Sequence, residues 1–220
     1  EHSFTRSATQ ANQLRFGYTR RGFRRRSLDL PIYDLTGFQQ LGPPASARAD
    51  FTTSVTQVLD HYSWFTGRHR LKAGADIRLQ TLDVLQPAAP LGNFQFSPIL
   101  TGNSVSSFLL GQVQQFQIDL QDEVLQPRAK IAEFFLQDDF RLSSRLSVNL
   151  GVRYTLNFPS TIRHDRGAVF NLRTQQLDFL GRNGFPRTAR NLELTNFAPR
   201  LGFALQLPAQ FLLRSGYGLT

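Results

Sequence analysis

Residues 134–154 read Phe-Phe-Leu-Gln-Asp-Asp-Phe-Arg-Leu-Ser-Ser-Arg-Leu-Ser-Val-Asn-Leu-Gly-Val-Arg-Tyr. Apolar and polar residues alternate on each side of Ser143-Ser144, except that Asp138 falls on the apolar side and Phe135 on the polar side. A period of two is typical of a β-strand with one apolar and one polar face. Two such runs joined by a very short polar link predict an antiparallel hairpin.

The two runs are long for a soluble protein. Each has about 12 residues, whereas soluble strands have roughly 5–6, and a tilted strand that crosses a bilayer needs roughly 9–11. We therefore expect the apolar face to contact lipid. Another run, at 69–81, alternates as cleanly, and the residues predicted to face lipid in these runs are Leu71, Ala73, Ala75, Ile77, Leu146, Val148, Leu150 and Val152.

The composition is compatible with a membrane β-barrel and excludes several other classes. The 220 residues have a mean hydropathy of −0.28. They contain no apolar run of about 18 residues, so no transmembrane helix is predicted. Barrel strands escape this test, because their alternating residues average to mildly polar. Cysteine is absent, which excludes disulfides and thiolate chemistry. The chain does not begin with Met and shows no signal peptide, so we expect it to be an internal piece of a longer protein.

The same alternation divides the rest of the chain. It predicts seven strands, at residues 12–19, 53–65, 69–81, 129–142, 146–157, 197–207 and from 211 onward. Residues 1–10 are polar and have no period, so no strand is predicted there. The stretches 20–44, 82–127 and 158–194 also lack alternation and are predicted to be long loops. Within the second of them, residues 104–111 predict a short helix with a serine cap and a glycine stop.

Link lengths are sorted along the chain. The short links, at 66–68, 143–145 and 208–210, follow the second, fourth and sixth strands, and the long links follow the first, third and fifth. Alternate links of an up-and-down meander lie at the same end, and outer-membrane barrels have short periplasmic turns and long outside loops. The predicted fold is therefore all-β: a segment of an antiparallel up-and-down transmembrane β-barrel, with about seven strands of a larger barrel. A soluble sandwich is the alternative.

Several ordered motifs resemble one family. Phe135-Leu136-Gln137-Asp138-Asp139-Phe140-Arg141 and the run Arg145–Tyr154 are similar to a barrel hairpin of TonB-dependent outer-membrane receptors, most of all those of the Oar-like subgroup, whose members often carry a carboxypeptidase-regulatory-like domain before the plug. The resemblance covers nearly the whole chain. It implies a Gram-negative type outer membrane, ligand uptake energised through TonB, and no catalysis. Residues 1–220 show no TonB box, plug domain or closing C-terminal strand, so we expect all of them to belong to part of the barrel.

Partners follow from the resemblance and from the charge of +9. The expected partners are outer-membrane lipid and lipopolysaccharide, the TonB complex through the plug region, and a small ligand such as an oligosaccharide, peptide or metal chelate; nucleic acid is not expected. The candidate anion contacts, to lipopolysaccharide phosphates or to an acidic ligand, are Arg20, Arg21, Arg24, Arg25 and Arg26. A solvated basic loop is the alternative interpretation of this segment.

Other polar residues are given structural roles. Asp138 and Asp139 are adjacent on a strand and therefore point to opposite faces, which disfavours a paired-carboxylate site. The four histidines form no zinc-type pair, and no cofactor or metal site is predicted. The polar face includes Arg15, Arg78, Arg153 and Arg200, which in a barrel would line the lumen or meet the plug. The aromatic residues expected near the membrane interfaces are Phe16, Tyr18, Tyr62, Trp64, Phe140 and Tyr154.

Two further functions remain open from the sequence. One is a non-transporting surface barrel or adhesin whose long loops bind a partner. The other is a soluble all-β carbohydrate-binding module. The sequence does not identify the ligand.

Overall fold

The computed structural model describes residues 1–121, 123–208 and 211–219. In this part of the chain the strands are β1 (His2–Ser7), β2 (Gln10–Arg25), β3 (Ile32–Leu35), β4 (Ala49–Thr66), β5 (His69–Leu85), β6 (Asn93–Phe96), β7 (Gln115–Gln117), β8 (Pro127–Arg141), β9 (Leu146–Ile162), β10 (Ala168–Asn171), β11 (Gln176–Phe179), β12 (Phe197–Gln206) and β13 (Leu212–Gly218). One short α-helix, α1, spans Ser104–Leu109, and a 3-10 turn spans Arg163–Asp165. No helix among the described residues is long and apolar enough to cross a membrane.

The long strands form one sheet with the order β1-β2-β4-β5-β8-β9-β12-β13. Neighbours in this order follow one another along the chain once the short inserted elements are set aside, as the predicted meander requires. β5 and β8 pair antiparallel from His69↔Phe140 to Thr81↔Arg128. β4, β5, β8 and β9 have 18, 17, 15 and 17 residues, each more than the roughly 9–11 needed to cross a bilayer. The all-β, antiparallel prediction is confirmed.

The sheet has one strand more than the sequence predicts. β1 pairs with β2 through Ser3↔Gln13 and Phe4↔Asn12, although residues 1–10 show no apolar period. Backbone hydrogen bonds to a neighbouring strand do not require an apolar face, so a polar segment at the edge of a sheet can pair without alternation. The prediction of no strand at residues 1–10 is therefore wrong.

Several strands continue beyond their predicted ends. β2 runs to Arg25, β5 to Leu85 and β9 to Ile162, so the first residues of all three predicted loops are strand. The short links are 8–9, 67–68 and 142–145. The predicted turn at 208–210 includes Ala209 and Gln210, which lie outside the described residues.

The chain divides into two compact units. The first comprises residues 1–19, 54–81 and 128–220, and the second comprises residues 20–53 and 82–127. Besides most of the long sheet, the first unit contains a small hairpin in which β10 and β11 pair from Ala168↔Phe179 to Asn171↔Gln176. The stretch 158–194 is therefore not the structureless loop that the sequence predicts.

The second unit is built around a three-stranded sheet with the order β3-β6-β7. β3 and β6 pair in parallel, from Ile32↔Asn93 to Leu35↔Phe96, and β7 pairs antiparallel with β6. The side chains of Ile32, Leu35 and Phe96 are buried. The ring of Tyr33 contacts the rings of Phe94, Phe96 and Phe108 at centroid distances of 5.7, 6.4 and 5.5 Å. Two stretches predicted to be separate loops thus share one core.

Helix α1 lies where the sequence predicts a helix, but its cap differs. The side chain of Asn103 accepts hydrogen bonds from the backbone N–H groups of Val105 and Ser106, so the cap is Asn103 and not a serine. Gly111, with φ of +68°, provides the predicted stop. The N–H of Gly111 bonds to the carbonyl of Phe108 and that of Gln112 to Ser107, which is a Schellman motif.

Candidate functional site

The long sheet of the first unit has one apolar and one polar face. Residue pairs such as Ala75↔Phe134 and Ala73↔Leu136 place apolar residues side by side, and Leu136 and Leu150 are 53% and 48% exposed. β9 and β12 continue this face through Leu150↔Leu201 and Val148↔Phe203. The structure therefore confirms that the residues predicted to face lipid share one side of the sheet. Their contact with lipid stays a prediction.

Aromatic pairs lie near both ends of this apolar face. Tyr154 stacks on Phe197 with a centroid distance of 4.4 Å, at the residue where β12 begins. Next to the short turn at 67–68, His69 stacks on Phe140 at 4.3 Å. Aromatic residues at two levels around an apolar band are typical of the two interfaces of a membrane barrel.

Part of the polar face is a closed network of charges. Arg78 Nη2 lies 2.7 Å from Glu133 Oε1, and Arg78 Nε lies 3.4 Å from Asp76 Oδ2. The amide of Gln57 donates hydrogen bonds to both carboxylate oxygens of Asp76, at 2.8 and 2.9 Å. The charge of Arg78 is thus already neutralised within the sheet, and we expect this part of the face to stabilise the wall.

Two aromatic rings cross the polar face beside this network. Phe135 is paired with Gly74, and its ring meets the ring of His61 edge-on at 5.1 Å. A Cβ on Gly74 would lie 2.5 Å from the ring of Phe135 and 2.5 Å from the backbone oxygen of Asp60. Glycine is therefore required at 74, because a side chain there would occupy the space over β5 that both rings fill.

Arginines on the polar face differ in their partners. Arg78 is doubly paired, and Arg15 lies 3.5 Å from Glu1. By contrast, no acidic partner is found among the described residues for Arg153, Arg200 or Arg214, and all three are exposed. The register pairs Arg200 with Gly151, and it places Arg153 on the same face two residues along β9.

The two adjacent aspartates point to opposite faces, as predicted. Asp138 is hydrogen-bonded to His69 on the apolar face, with 2.6 Å between Oδ2 and Nδ1. Asp139 accepts hydrogen bonds from Asn149 and, at 3.3 Å, from Gln137 on the polar face. The pair cannot converge on one reacting atom. Among the described residues no group of three or more His, Asp or Glu side chains is arranged to hold a metal ion.

The predicted anion contacts lie in the second unit, on strand and not on loop. Arg20, Arg21, Arg24 and Arg25 belong to β2, and Arg26 follows it directly. The sequence shows no period here because both faces of a strand outside lipid can be polar. The loop prediction for residues 20–25 is therefore wrong.

These five arginines separate into two groups. Arg24 forms an ion pair with Asp50 at 3.0 Å, and Arg25 donates hydrogen bonds to the backbone carbonyls of Ala47 and Ser46, both at 2.6 Å. The side chains of Arg20, Arg21 and Arg26 are exposed and have no hydrogen-bonding or acidic partner in the described part of the chain.

Arg26 and three other arginines line an open depression of 460 Å³. The other lining residues are Arg24, Arg25, Arg48, Ser27, Asp29, Ala49, Asp50 and Leu85. Four arginines face only two aspartates, Asp29 and Asp50, so a net positive charge remains at this depression, which suits an anionic group.

Long antiparallel strands with an exposed apolar face, a charged opposite face and aromatic pairs at both ends define an outer-membrane β-barrel wall. The family model described as "Outer membrane beta barrel domain" matches residues 1–220, and the chain belongs to that family. The predicted outer-membrane location is therefore confirmed, and the soluble carbohydrate-binding module is excluded. No curated protein matches the sequence.

The aromatic contact is visible in the sequence only as an irregularity. Phe135 is an exception on the polar side of its strand, but its contact with His61 depends on the register across three strands. Arg214 is a single arginine in its strand and has no distinguishing pattern in the sequence.

Proposed function

We propose that this chain is part of the wall of a TonB-dependent receptor of the Oar-like subgroup, which imports a small ligand across the outer membrane and performs no catalysis. The observation that supports the proposal most is the polar face of the first unit, where exposed arginines remain without acidic partners. Such a face suits a lumen that contacts a plug domain or a passing ligand. The resemblance of residues 135–154 to the barrel hairpin of these receptors also favours it.

The test uses the full-length protein, purified in detergent from outer membranes. It is titrated with the periplasmic domain of TonB, and binding is followed by biolayer interferometry. We expect saturable binding, strengthened when the transported ligand is present. Absence of binding to this domain, by a protein whose barrel is folded, would contradict the transporter proposal.

The exposed arginines at the end of β2 support a second contact, with phosphate groups of lipopolysaccharide. In the described part of the chain the guanidinium groups of Arg20 and Arg26 have no acidic partner, whereas Arg24 is paired with Asp50. Arg21 is also exposed, but it is adjacent to Arg20 on β2 and therefore points to the opposite face. We expect replacement of Arg20 and Arg26 by glutamine to weaken binding of purified lipopolysaccharide, and replacement of Arg24 alone to have a smaller effect. Equal effects of the two changes would show that the unpaired arginines make no special contact.

A non-transporting surface barrel or adhesin is the second candidate. It is favoured by the apolar residues exposed around α1, where Ile99, Leu109 and Leu110 are 74%, 76% and 68% exposed. Exposed apolar residues in a folded loop region are typical of protein-binding surfaces. A receptor and an adhesin differ in the TonB titration, since only the receptor is expected to bind.

A further inference from the structure

A depression on the polar face of the first unit combines free positive charge with aromatic rings. It has a volume of about 210 Å³ and is lined by His61, Phe135, Leu136, Gln137, Gly151, Val152, Arg153 and Arg200. The rings of His61 and Phe135 form one side, and the side chains of Arg153 and Arg200 form another. Gly151 lies between them and contributes no side chain.

The two arginines are close enough to act on one ligand group. Arg200 is paired with Gly151, and Arg153 is two residues further along β9 on the same face. Diagonal neighbours on one face of an antiparallel pair are about 7–8 Å apart, within reach of long side chains. Two guanidinium groups at this spacing can donate to the same carboxylate, for which their planar donor geometry is suited.

The neighbouring strands show how charged side chains on this face are neutralised where a partner lies beside them. Arg78 is held between Asp76 and Glu133, and Asp139 is satisfied by Asn149 and Gln137. Among the described residues, no carboxylate of these two networks forms an ion pair with Arg153 or Arg200. Two like charges placed side by side repel each other unless an anion lies between them.

The rings add a preference for shape. The planes of the His61 and Phe135 rings stand at 87° to each other, so the depression is bordered by aromatic surface, which packs well against a ring or a sugar. We propose that this depression binds a carboxylate carried on a flat organic scaffold, with Arg153 and Arg200 on the carboxylate and the His61–Phe135 pair against the scaffold. The inference rests on the proposed receptor function only in placing this face in the barrel lumen.

The carboxylate has two sources, a free organic acid or an acidic side chain from another part of the same protein. For the first source, benzoate is titrated into the full-length protein in detergent and binding is followed by saturation-transfer NMR. We expect saturable binding, and about tenfold weaker binding after loss of each charge-assisted contact in Arg153→Gln and Arg200→Gln. Benzamide, which lacks the charge, is expected to bind much more weakly than benzoate.

Two further variants separate the depression from general positive charge. Gly151→Leu fills the depression and keeps both arginines; a Cβ there has its nearest neighbours at 3.5 Å or more, so the strand should tolerate it. It is expected to abolish benzoate binding. Arg214→Gln removes an exposed arginine of the same face outside the depression and is expected to leave binding unchanged. Heat-modifiable electrophoretic mobility checks that each barrel is folded.

For the second source, the variant Arg153→Lys is treated with a carbodiimide, which joins the introduced amine to a carboxylate bound beside it. A cross-link to an acidic residue of the same protein, identified by mass spectrometry, supports the proposal with an internal occupant. Benzoate binding that survives the double substitution of Arg153 and Arg200 would overturn it, as would the absence of both benzoate binding and cross-link. Neither assay contains TonB, so a failure of the transporter proposal would leave these outcomes unaffected.

Discussion

Replacement of Leu150 by arginine is expected to destabilise the full-length barrel by about 2–4 kcal/mol, because the guanidinium would be placed in the hydrocarbon layer. Leu150 lies halfway between Leu146 and Tyr154 on the apolar face of β9. That eight-residue rise is about 26 Å along the strand, or about 20 Å along the membrane normal at a tilt near 40°. An apolar band is about 25 Å tall, so Leu150 lies near its middle, where the cost of arginine is greatest.

The neighbouring residue provides a matched control. Asn149 is on the opposite face and donates a hydrogen bond to Asp139. Arginine at 149 would lose this bond, which contributes about 1 kcal/mol, but it would gain an ion pair with the same carboxylate. The net cost at 149 should therefore stay within about 1 kcal/mol.

Both variants of the full-length protein are refolded into lipid vesicles and titrated with urea in the folding and unfolding directions. The midpoint and slope give the free energy of unfolding for each variant. Equal losses at 149 and 150, or a larger loss at 149, would show that the assignment of faces is reversed or that this strand does not cross the bilayer.

Three further outcomes are expected. Gly74→Ala should lower the free energy of unfolding by about 1–3 kcal/mol, because its Cβ would lie 2.5 Å from a backbone oxygen, whereas Gly151→Ala should be nearly neutral. The same urea titration measures both variants, and equal losses would refute the packing argument. An epitope tag at Gly184 should be labelled on intact cells and one at Gly67 should not, and the reverse pattern would invert the topology. A protein consisting of residues 1–220 alone should not elute as a monomer from size-exclusion chromatography without detergent, because β1 and β13 are open edges; a monodisperse monomer with a cooperative thermal transition would contradict this.

Sequence periodicity predicts the central strands well because the strands of a membrane barrel wall have two chemically different faces. The runs predicted at 69–81 and 146–157 correspond to β5 and β9, which begin at His69 and Leu146. Within a bilayer each residue must face either hydrocarbon or the interior, and this choice is visible in the alternation of apolar and polar residues.

Outside the bilayer a strand does not need an apolar face, so the alternation of apolar and polar residues is lost. β2 continues through Arg20–Arg25 by pairing with a neighbouring strand, although no apolar face marks it. The parallel pairing of β3 with β6 joins segments far apart in sequence, and nothing local to either segment predicts the partner.

The candidate site is predictable only in part, for a related reason. The parity of β9 and β12 places Arg153 and Arg200 on the polar face, and the sequence gives this correctly. The sequence does not show that Arg78 has acidic partners and that Arg153 and Arg200 have none. This difference depends on which residues the strand register brings next to one another. The position of the His61 ring depends in addition on the absence of a side chain at Gly74.

The ring packing around Tyr33 joins two stretches that are distant in the sequence, residues 32–41 and 93–117, into a single folded region. An antibody that recognises the folded sheet of β3, β6 and β7 would contact a discontinuous epitope, which short peptides from either stretch would not reproduce. Because the Tyr33 ring packs on Phe94, Phe96 and Phe108, a substitution in one stretch alters the shape presented by the other. Sequence variation in the two stretches is therefore expected to be correlated. If one stretch is grafted into a related barrel, we expect it to fold correctly only when the other stretch is grafted as well.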